Sequence, residues 1–357
     1  MDWSSFVYFP VLKTKDAELR AISCVDDLVL DKILPVYELT KSRTSKNNPV
    51  GDVSKRLDQI ALIQGKRPFI LDVSTDPKQM NSQIESVLVP DGGYKNWRDM
   101  LTSYAELNIV PTIHIDFDED PGLVNALKFV SIMSVAFPRL ALRLPASLEE
   151  DEYSEVIEPI LDELGEAKLY VLLDEGCIRA AVKEDSLETV VELFESAKNI
   201  VLDIGEDTDW LESVVVIAGS FPQFVSKEGG GDEEGSFDIY EHGLFLALNG
   251  QDDLVKFGDY ASVNINQTEM RGGTFVPRID FCDDGVFYYY RYRRDMGSYV
   301  KCAKKVVADV RFSNDFTWGD EEIRSASAGS PSGISPSFWI SVRVNNYIHR
   351  RVEVLGR

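Results

Sequence analysis

Eight short aliphatic runs recur through the first 221 residues, and they constrain the fold more than any other feature. The runs are rich in β-branched and aromatic residues and are bounded by turn residues; they are 6–14, 33–39, 68–74, 109–117, 139–145, 168–176, 199–205 and 213–221. Most are continuously apolar rather than alternating, which is typical of strands covered on both faces in a parallel sheet. Parallel neighbours need crossover connections, which are usually helices.

The segments between the runs supply those crossovers. Apolar residues recur at spacings of three and four in DAELRAISCV, VSKRLDQIALIQ, NWRDMLTSYAEL, GLVNALKFVSIMSVAF, YSEVIEPILDEL and SLETVVELFESAK. Eight strands with alternating helices fit a (β/α)8 barrel, which usually takes about 250 residues. The competing fold is a doubly wound open sheet, which usually has fewer strands and often begins with a glycine-rich phosphate loop that is missing here. We therefore predict an α/β fold with a TIM-like barrel over residues 1–222.

The composition changes after residue 222. The stretch SKEGGGDEEGS (226–236) has the character of an exposed loop, and aromatic, turn-rich sequence follows it. We predict a smaller C-terminal α+β module over residues 223–357. Within it, VFYYYRYRRDMGSYVKCAKK carries six bases and one acid. This segment fits a platform for single-stranded nucleic acid or a half-buried edge strand, and the alternation of its side chains favours the edge strand.

The overall charge bears on the partners of the chain. The 357 residues carry a formal net charge of −23, which argues against a protein that coats DNA or an anionic membrane through a general basic field. The four cysteines form no CxxC pair, and this predicts a reduced, cytoplasmic setting. No stretch has the pattern of a secretory signal or the length of a membrane span, so we expect no membrane association.

Charged side chains follow the last strong apolar residue in seven of the eight runs. These residues are Lys13, Glu38, Asp72, Asp116, Arg143, Asp174 and Asp203. In a barrel such positions lie at the carboxyl ends of the strands, where barrel enzymes carry their chemistry. An aspartate there also suits an N-cap of the next helix, as Asp72 and Asp203 would. Lys13 and Arg143 cannot be N-caps, so the series favours a site at one rim of the barrel.

Hydrolysis of a phosphoester in a nucleotide or nucleic acid, with a divalent cation, is the leading hypothesis for this rim. The predicted catalytic residues are Lys13, Glu38, Arg143 and Asp174, with Lys13 and Arg143 on the anionic group and Glu38 orienting Lys13. The predicted ligands of Mg²⁺ or Mn²⁺ are Asp72, Asp116, Asp174 and Asp203.

Other chemistries and another class of protein stay open. Two carboxylates of the rim suit glycoside hydrolysis, and Lys13 suits a Schiff base with a carbonyl substrate. The three histidines are too few and too scattered for a His-rich zinc site, and GxSxG and Walker A motifs are absent. The alternative to an enzyme is a noncatalytic sensor or interaction protein whose acidic surface engages a partner protein.

Several segments together resemble one family. They are YFPVLKTKDAELRAI and ILPVYEL near the start, FGDYASVNI in the middle, and FTWGDEEI and SFWISVRVNNYIH near the end. Over nearly the whole chain they resemble the beta family of proteins, which is named after a bacteriophage product. The resemblance implies a bacterial or phage origin and a place in phage–host conflict, without a defined reaction. It places motif positions at Lys13, Glu38, Gly258, Asp259, Tyr260, Gly319 and Asp320. The chain departs from the family pattern at NNYIH, where adjacent histidines are expected after an asparagine, so the resemblance gives His349 no catalytic role.

Overall fold

The computed structural model describes residues 2–42, 44, 46, 48–116, 122–205, 207–230, 233–248, 254–266, 275–312 and 317–356. The strands are β1 (Tyr8–Lys13), β2 (Val36–Leu39), β3 (Phe69–Val73), β4 (Ile109–Ile113), β5 (Arg139–Leu144), β6 (Lys168–Cys177), β7 (Leu211–Gly219), β8 (Glu234–Asp238), β9 (Val255–Asp259), β10 (Arg278–Asp283) and β11 (Val286–Arg291). The α-helices are α1 (Asp16–Ser23), α2 (Asp27–Leu30), α3 (Ser54–Gln64), α4 (Ser82–Val87), α5 (Asp91–Ser103), α6 (Gly122–Met133), α7 (Glu150–Leu164), α8 (Arg179–Glu184), α9 (Leu187–Asp203), α10 (Val225–Glu228), α11 (Glu241–Leu248), α12 (Ser298–Ala308), α13 (Trp318–Ser327) and α14 (Pro336–Leu355).

Eight parallel strands close into a barrel in the order β1-β2-β3-β4-β5-β6-β7-β9, and this confirms the predicted TIM-like fold. Closure depends on β9, which pairs in parallel with both β7 and β1. Alternate residues of the strands point inward and fill the barrel with apolar side chains. These include Phe9, Val11, Val36, Ile70, Val110, Ala141, Tyr170, Leu172, Val215 and Ile217. Among the described helices, none combines the length and apolar character needed to cross a membrane.

The run 199–205 is helical, so the prediction of a strand there is wrong. It forms the last turns of α9, whose buried residues Val190, Phe194, Ala197 and Val201 recur at spacings of three and four. No glycine or proline interrupts this pattern before Gly205, and helical periodicity therefore extends through the run. Asp203 is the exposed last residue of α9 and does not lie at the end of a barrel strand.

The eighth barrel strand is β9. The prediction that the barrel is complete within residues 1–222 is therefore wrong. The last helix, α14, returns to the barrel and packs along α1 and β1. Beside it, β10, β11 and β8 form an antiparallel sheet in that order, covered by α12 and α13. Because β11 is the middle strand, the interpretation of its sequence as an edge is wrong. Tyr289 and Tyr290 are both buried.

A buried hydrogen-bond network joins α14 to the barrel. Asp259, at the end of β9, accepts hydrogen bonds from the hydroxyls of Tyr8 at 2.5 Å and Tyr347 at 2.6 Å. It also accepts one from the backbone N–H of Ala261 at 2.8 Å. The buried guanidinium of Arg351 donates to the Tyr347 hydroxyl at 3.2 Å. Burial raises the pKa of Asp259, although Arg351 and the two tyrosines oppose this. One carboxylate thus connects β1, β9 and α14.

We expect Asp259→Ala to lower the free energy of unfolding by about 3–5 kcal/mol, because it leaves two buried tyrosine hydroxyls without their acceptor and removes the negative charge that acts on the buried Arg351 guanidinium. Tyr8→Phe is the matched control. It removes one hydroxyl and should cost about 1–2 kcal/mol. Urea unfolding measures both variants. A cost for Asp259→Ala no greater than that of Tyr8→Phe would show that Asp259 does not anchor α14.

Glu241, on α11, gives this region a pH dependence. Its carboxylate accepts hydrogen bonds from the Ser220 hydroxyl and from the Tyr240 N–H. Burial raises the pKa of Glu241 from 4.5 to about 6, and the charge of Asp259 adds to this effect. Since the folded pKa is the higher one, the stability contributed by Glu241 is fully present below pH 4.5. It is lost as the pH rises through about 6.

We therefore expect the stability of Glu241→Gln relative to wild type to improve by roughly 2 kcal/mol between pH 4.5 and pH 7. Hydrogen bonds that the variant loses or gains change its free energy of unfolding equally at every pH. Only the change with pH of the difference from wild type is therefore diagnostic. Urea unfolding at five pH values across this range provides the measurement. A difference that stays constant with pH would contradict a raised pKa at Glu241.

Candidate functional site

The inward positions of several barrel strands change from apolar to charged near the carboxyl ends. Ala141 is followed on the same face by Arg143, and Leu172 by Asp174, because side chains two apart point the same way. The same change occurs along β1, β2 and β3, where the register pairs Lys13 with Glu38 and Glu38 with Asp72. The hydrophobic filling of the barrel thus ends in a layer of charges.

Arg143 is the centre of this layer. Its Nη1 donates to Asp72 Oδ2 at 2.7 Å and to Glu38 Oε2 at 3.2 Å. Its Nε donates to Asp174 Oδ2 at 2.7 Å, and its Nη2 lies 2.6 Å from the same oxygen and 3.0 Å from the Tyr260 hydroxyl. A guanidinium has five N–H donors, and Arg143 uses four of them in hydrogen bonds while Nη2 adds an ion-pair contact to Asp174. Arg143 therefore holds side chains from β2, β3 and β6 in fixed positions.

The pKa values of this cluster follow from burial opposed by pairing. Burial acts to raise the pKa of Glu38, but the charges of Arg143 and Lys13 outweigh it, so the pKa lies below its ordinary value. Burial acts to lower the pKa of Arg143, and the surrounding carboxylates hold it well above its ordinary value. Burial and the Asp174 charge raise the pKa of Tyr260, which stays protonated and donates to both Asp174 oxygens at 2.7–2.8 Å.

Three consecutive residues at the end of β9 have three separate roles. Gly258 lies where a Cβ atom would come within 2.7 Å of the Ile217 side chain and 3.1 Å of the Phe9 carbonyl oxygen. Asp259 points outward to the network with α14, and Tyr260 points inward to Arg143. Strand-end reasoning missed Tyr260 because β9 was not recognised as a barrel strand. The motif FGDY at residues 257–260 was the sequence signal that could have identified this strand end and Tyr260.

An open cavity of about 910 Å³ lies above the charged layer, within the size range of small-molecule sites. Six of the seven predicted rim residues line it: Lys13, Glu38, Asp72, Asp116, Arg143 and Asp174. Asp203 does not. The lining also contains residues that the prediction left out: Asp76, His114 and Tyr260. Carboxylates outnumber cations in the lining by five to two, since Asp76 joins the four predicted acids.

Lys13 keeps its ammonium group available to the cavity. Its Nζ donates to the carbonyl oxygen of Ile265 at 3.2 Å. Among the described residues, no carboxylate oxygen lies within 4 Å of this nitrogen. Glu38, which was predicted to orient Lys13, is instead paired with Arg143. Lys13 is therefore the rim cation whose donors are not taken up by acids.

His114 brings a neutral imidazole to the cavity. Its side chain is 9% exposed, and its Nε2 makes no hydrogen bond to any described residue and lies 4.0 Å from Asp72 Oδ1. The ring packs between Tyr94 and Trp97, with centroid distances of 6.1 and 5.7 Å. Burial lowers the pKa of His114, and the Arg143 charge lowers it further against the opposing effect of Asp72. Its Nε2 is buried, and Asp72 is the carboxylate that lies 4.0 Å from it.

The predicted metal ligands do not surround an open coordination position. The Arg143 guanidinium lies between Asp72 and Asp174, where a cation was expected. Within the described ranges, no group of three His, Cys, Asp or Glu residues has the spacing to hold a metal ion. Asp76 and Asp116 line the cavity outside the set of Arg143 contacts. Any cation would therefore take few ligands from the protein.

Comparison with known proteins gives the family. A family model described as "Beta protein" matches residues 8–353. The chain belongs to the beta protein family. It is similar to "Protein beta" of Enterobacteria phage P4, with 26% identity over 361 residues that cover 99% of this chain and 94% of the phage protein. The predicted resemblance is confirmed, and the beta protein match takes in both the rim residues and most of α14.

Gly319 and Asp320, which the resemblance predicted as motif positions, do not line the rim cavity. Asp320 accepts hydrogen bonds from the Thr317 N–H at 3.1 Å and the Asn346 side chain at 3.2 Å. A Cβ atom on Gly319 would approach the Val342 carbonyl oxygen to 2.8 Å. These residues hold α13 close against α14, and their role is structural.

We expect Arg143→Met to destabilise the protein by about 3–5 kcal/mol at pH 7, because three buried carboxylates lose their shared cation. The deficit should shrink at pH 5, since carboxylates without Arg143 take up protons more readily. Tyr260→Phe is the matched control and should cost about 1–2 kcal/mol at either pH. Urea unfolding at both pH values measures this. An Arg143→Met deficit that does not change between pH 7 and pH 5 would contradict the account of the cluster.

Proposed function

We propose that this protein is a barrel enzyme that hydrolyses a phosphoester of a nucleotide or nucleic acid in the rim cavity. One observation carries the proposal: Lys13 and His114, neither of which belongs to the Arg143 network, face the same cavity at the carboxyl ends of the strands. The network fixes the acids, and it leaves a Lys13 ammonium that contacts the Ile265 carbonyl but no carboxylate among the described residues, together with the His114 imidazole. Barrel enzymes place their reactive groups at this face.

In the proposed reaction, Lys13 binds a phosphate oxygen and His114 acts as general base. His114 Nε2 takes a proton from water as the water oxygen forms a bond to phosphorus, the P–O ester bond breaks, and the departing alkoxide takes up a proton from solvent water to leave as the alcohol. The imidazolium so formed lies 4.0 Å from Asp72, whose charge stabilises it. Arg143 is a positioning residue in this scheme, because its donors are taken up by Glu38, Asp72, Asp174 and Tyr260.

The excess of carboxylates at the cavity supports the participation of a divalent cation. An anionic substrate meets five acids and two bases in the lining, so a further positive charge favours its binding. Mg²⁺ commonly takes one or two carboxylates and completes its coordination with substrate phosphate and water. Asp76 and Asp116 are the residues that we propose for this role. Asp72 and Asp174 act through Arg143 instead.

A noncatalytic sensor is the second candidate, and the pairing of Arg143 favours it. A fully paired cluster keeps the rim fixed without any need for turnover, and the net charge of −23 suits a basic partner protein. The phage origin of the similar "Protein beta" supports phage–host conflict as the setting of either function. Binding of nucleotides in the rim cavity without turnover would favour the noncatalytic sensor over the hydrolase.

We expect the wild-type protein to hydrolyse at least one member of a panel of nucleotides, cyclic nucleotides and oligonucleotides in the presence of Mn²⁺. His114→Gln should lower kcat by about 100-fold or more, since it removes the general base. Lys13→Ala should mainly lower kcat/KM, and EDTA should abolish turnover. Asp203→Asn is the matched control, because it neutralises a predicted aspartate that lies outside the cavity.

The assignment fails if His114→Gln and Lys13→Ala turn over substrate as fast as Asp203→Asn does. Activity that persists in EDTA would contradict the proposed role of the cation but not the roles of Lys13 and His114. Calorimetry on the same panel separates the two candidates, since a sensor binds its ligand and releases no product.

A further inference from the structure

A second cavity of about 370 Å³ lies away from the rim, between the barrel and the C-terminal sheet and helices. Its charged lining residues come from β10, β11 and α14, and they are Arg278, Arg291, Arg343 and Asp280. Arg278 and Arg343 share the single carboxylate of Asp280, which makes this a locally basic region in a chain with a net charge of −23. Such a concave, positive region attracts small anions.

Arg343 shows that the cavity is a built site rather than a surface groove. Its side chain is 4% exposed, its Nη1 donates to Asp280 Oδ2 at 2.8 Å, and its guanidinium carbon lies 4.1 Å from the centroid of the Phe221 ring. Its Nε makes no hydrogen bond to any residue that the structure describes. Buried polar atoms are nearly always paired, so this N–H calls for an acceptor from a ligand.

One carboxylate is shared between two arginines. Arg278 Nε lies 2.7 Å from Asp280 Oδ1, while Arg343 contacts the other oxygen. Glu18 of α1 also acts on Arg343, and burial raises the pKa of Glu18, which favours its neutral form. Arg278 and Arg343 thus set two positive charges against the one carboxylate of Asp280. An anion in the cavity would balance the second charge.

Aromatic side chains form much of the remaining wall. Tyr299 and Trp339 stack with their ring centroids 4.9 Å apart and 16° between their planes. Phe221, Phe224 and Phe275 also line the cavity, and Phe224 is 52% exposed. Arginines recognise phosphate oxygens through paired hydrogen bonds, and aromatic rings stack on bases. The combination is the recognition chemistry of a nucleotide.

We propose that this cavity is a second ligand site, distinct from the rim, which binds a mononucleotide. Its phosphate lies between Arg278 and Arg343, and its base lies against Phe224 at the entrance. Arg291 gives the basic, tyrosine-rich segment of β11 a place in this site. The proposal does not depend on hydrolysis at the rim, because the two cavities share no lining residue.

Calorimetric titration with the four ribonucleoside monophosphates tests this site on the full chain. We expect saturable binding of at least one of them, and weaker binding of its nucleoside and of inorganic phosphate. Arg278→Gln should weaken binding by about tenfold or more, from the loss of a charged hydrogen bond. Phe224→Ala should weaken it by about fivefold or more, from the loss of stacking. Phe224 is half exposed, so this variant keeps the test valid if Arg278→Gln does not fold.

Asp203→Asn, which lies outside both cavities, is the matched control and should leave this binding unchanged, while Lys13→Ala reports any binding at the rim. Thermal melting within a few degrees of wild type confirms that each variant is folded. The proposal is overturned if no monophosphate binds at millimolar concentration, or if Lys13→Ala abolishes binding while Phe224→Ala and Arg278→Gln retain it. Binding of phosphate as tight as that of the nucleotide would also overturn it, because the aromatic wall would then contribute nothing.

Discussion

The pairing of Arg143 with three carboxylates is the interaction on which the rim of this barrel depends. Closing eight strands brings their inward side chains together, and Glu38, Asp72 and Asp174 would repel one another there without a shared cation. A planar guanidinium with five donors can contact all three acids and a tyrosine at once, which a lysine ammonium cannot do. Within the cluster, the charges of Arg143 and the three carboxylates are paired with one another. Lys13 and His114 line the same cavity outside this network.

The same barrel depends on its C-terminal part for closure. The eighth strand is β9, and the two residues at its end connect in opposite directions: Asp259 outward to Tyr347 of α14, and Tyr260 inward to Arg143. Loss of the outward contact would therefore also disturb the rim. The family match extends from residue 8 to residue 353 and so includes β9 and most of α14.

Much of the fold could be predicted from sequence because continuous apolar runs and helical periodicity are local signals. Local signals also explain the failures. The run at 199–205 is equally apolar as a strand and as the end of a helix, and only the preceding pattern from Val190 to Val201 decides it. The strand β9 has five residues, contains Gly258 and lies beyond the predicted boundary at residue 222, so its sequence was assigned to the C-terminal module and not to the barrel. The alternation of side chains still placed six of seven charges correctly at the cavity.

The pairing within the rim lay beyond sequence reasoning, since it depends on distances between residues such as Glu38 and Arg143 that are 105 positions apart.

The claim that Arg143 positions acids while Lys13 and His114 meet the ligand is tested most directly by a crystal structure with vanadate and Mn²⁺. Our account predicts vanadate in the rim cavity, with Lys13 Nζ and His114 Nε2 within about 3.2 Å of its oxygens and every Arg143 contact retained. Vanadate bound to Arg143 in place of the carboxylates would contradict it.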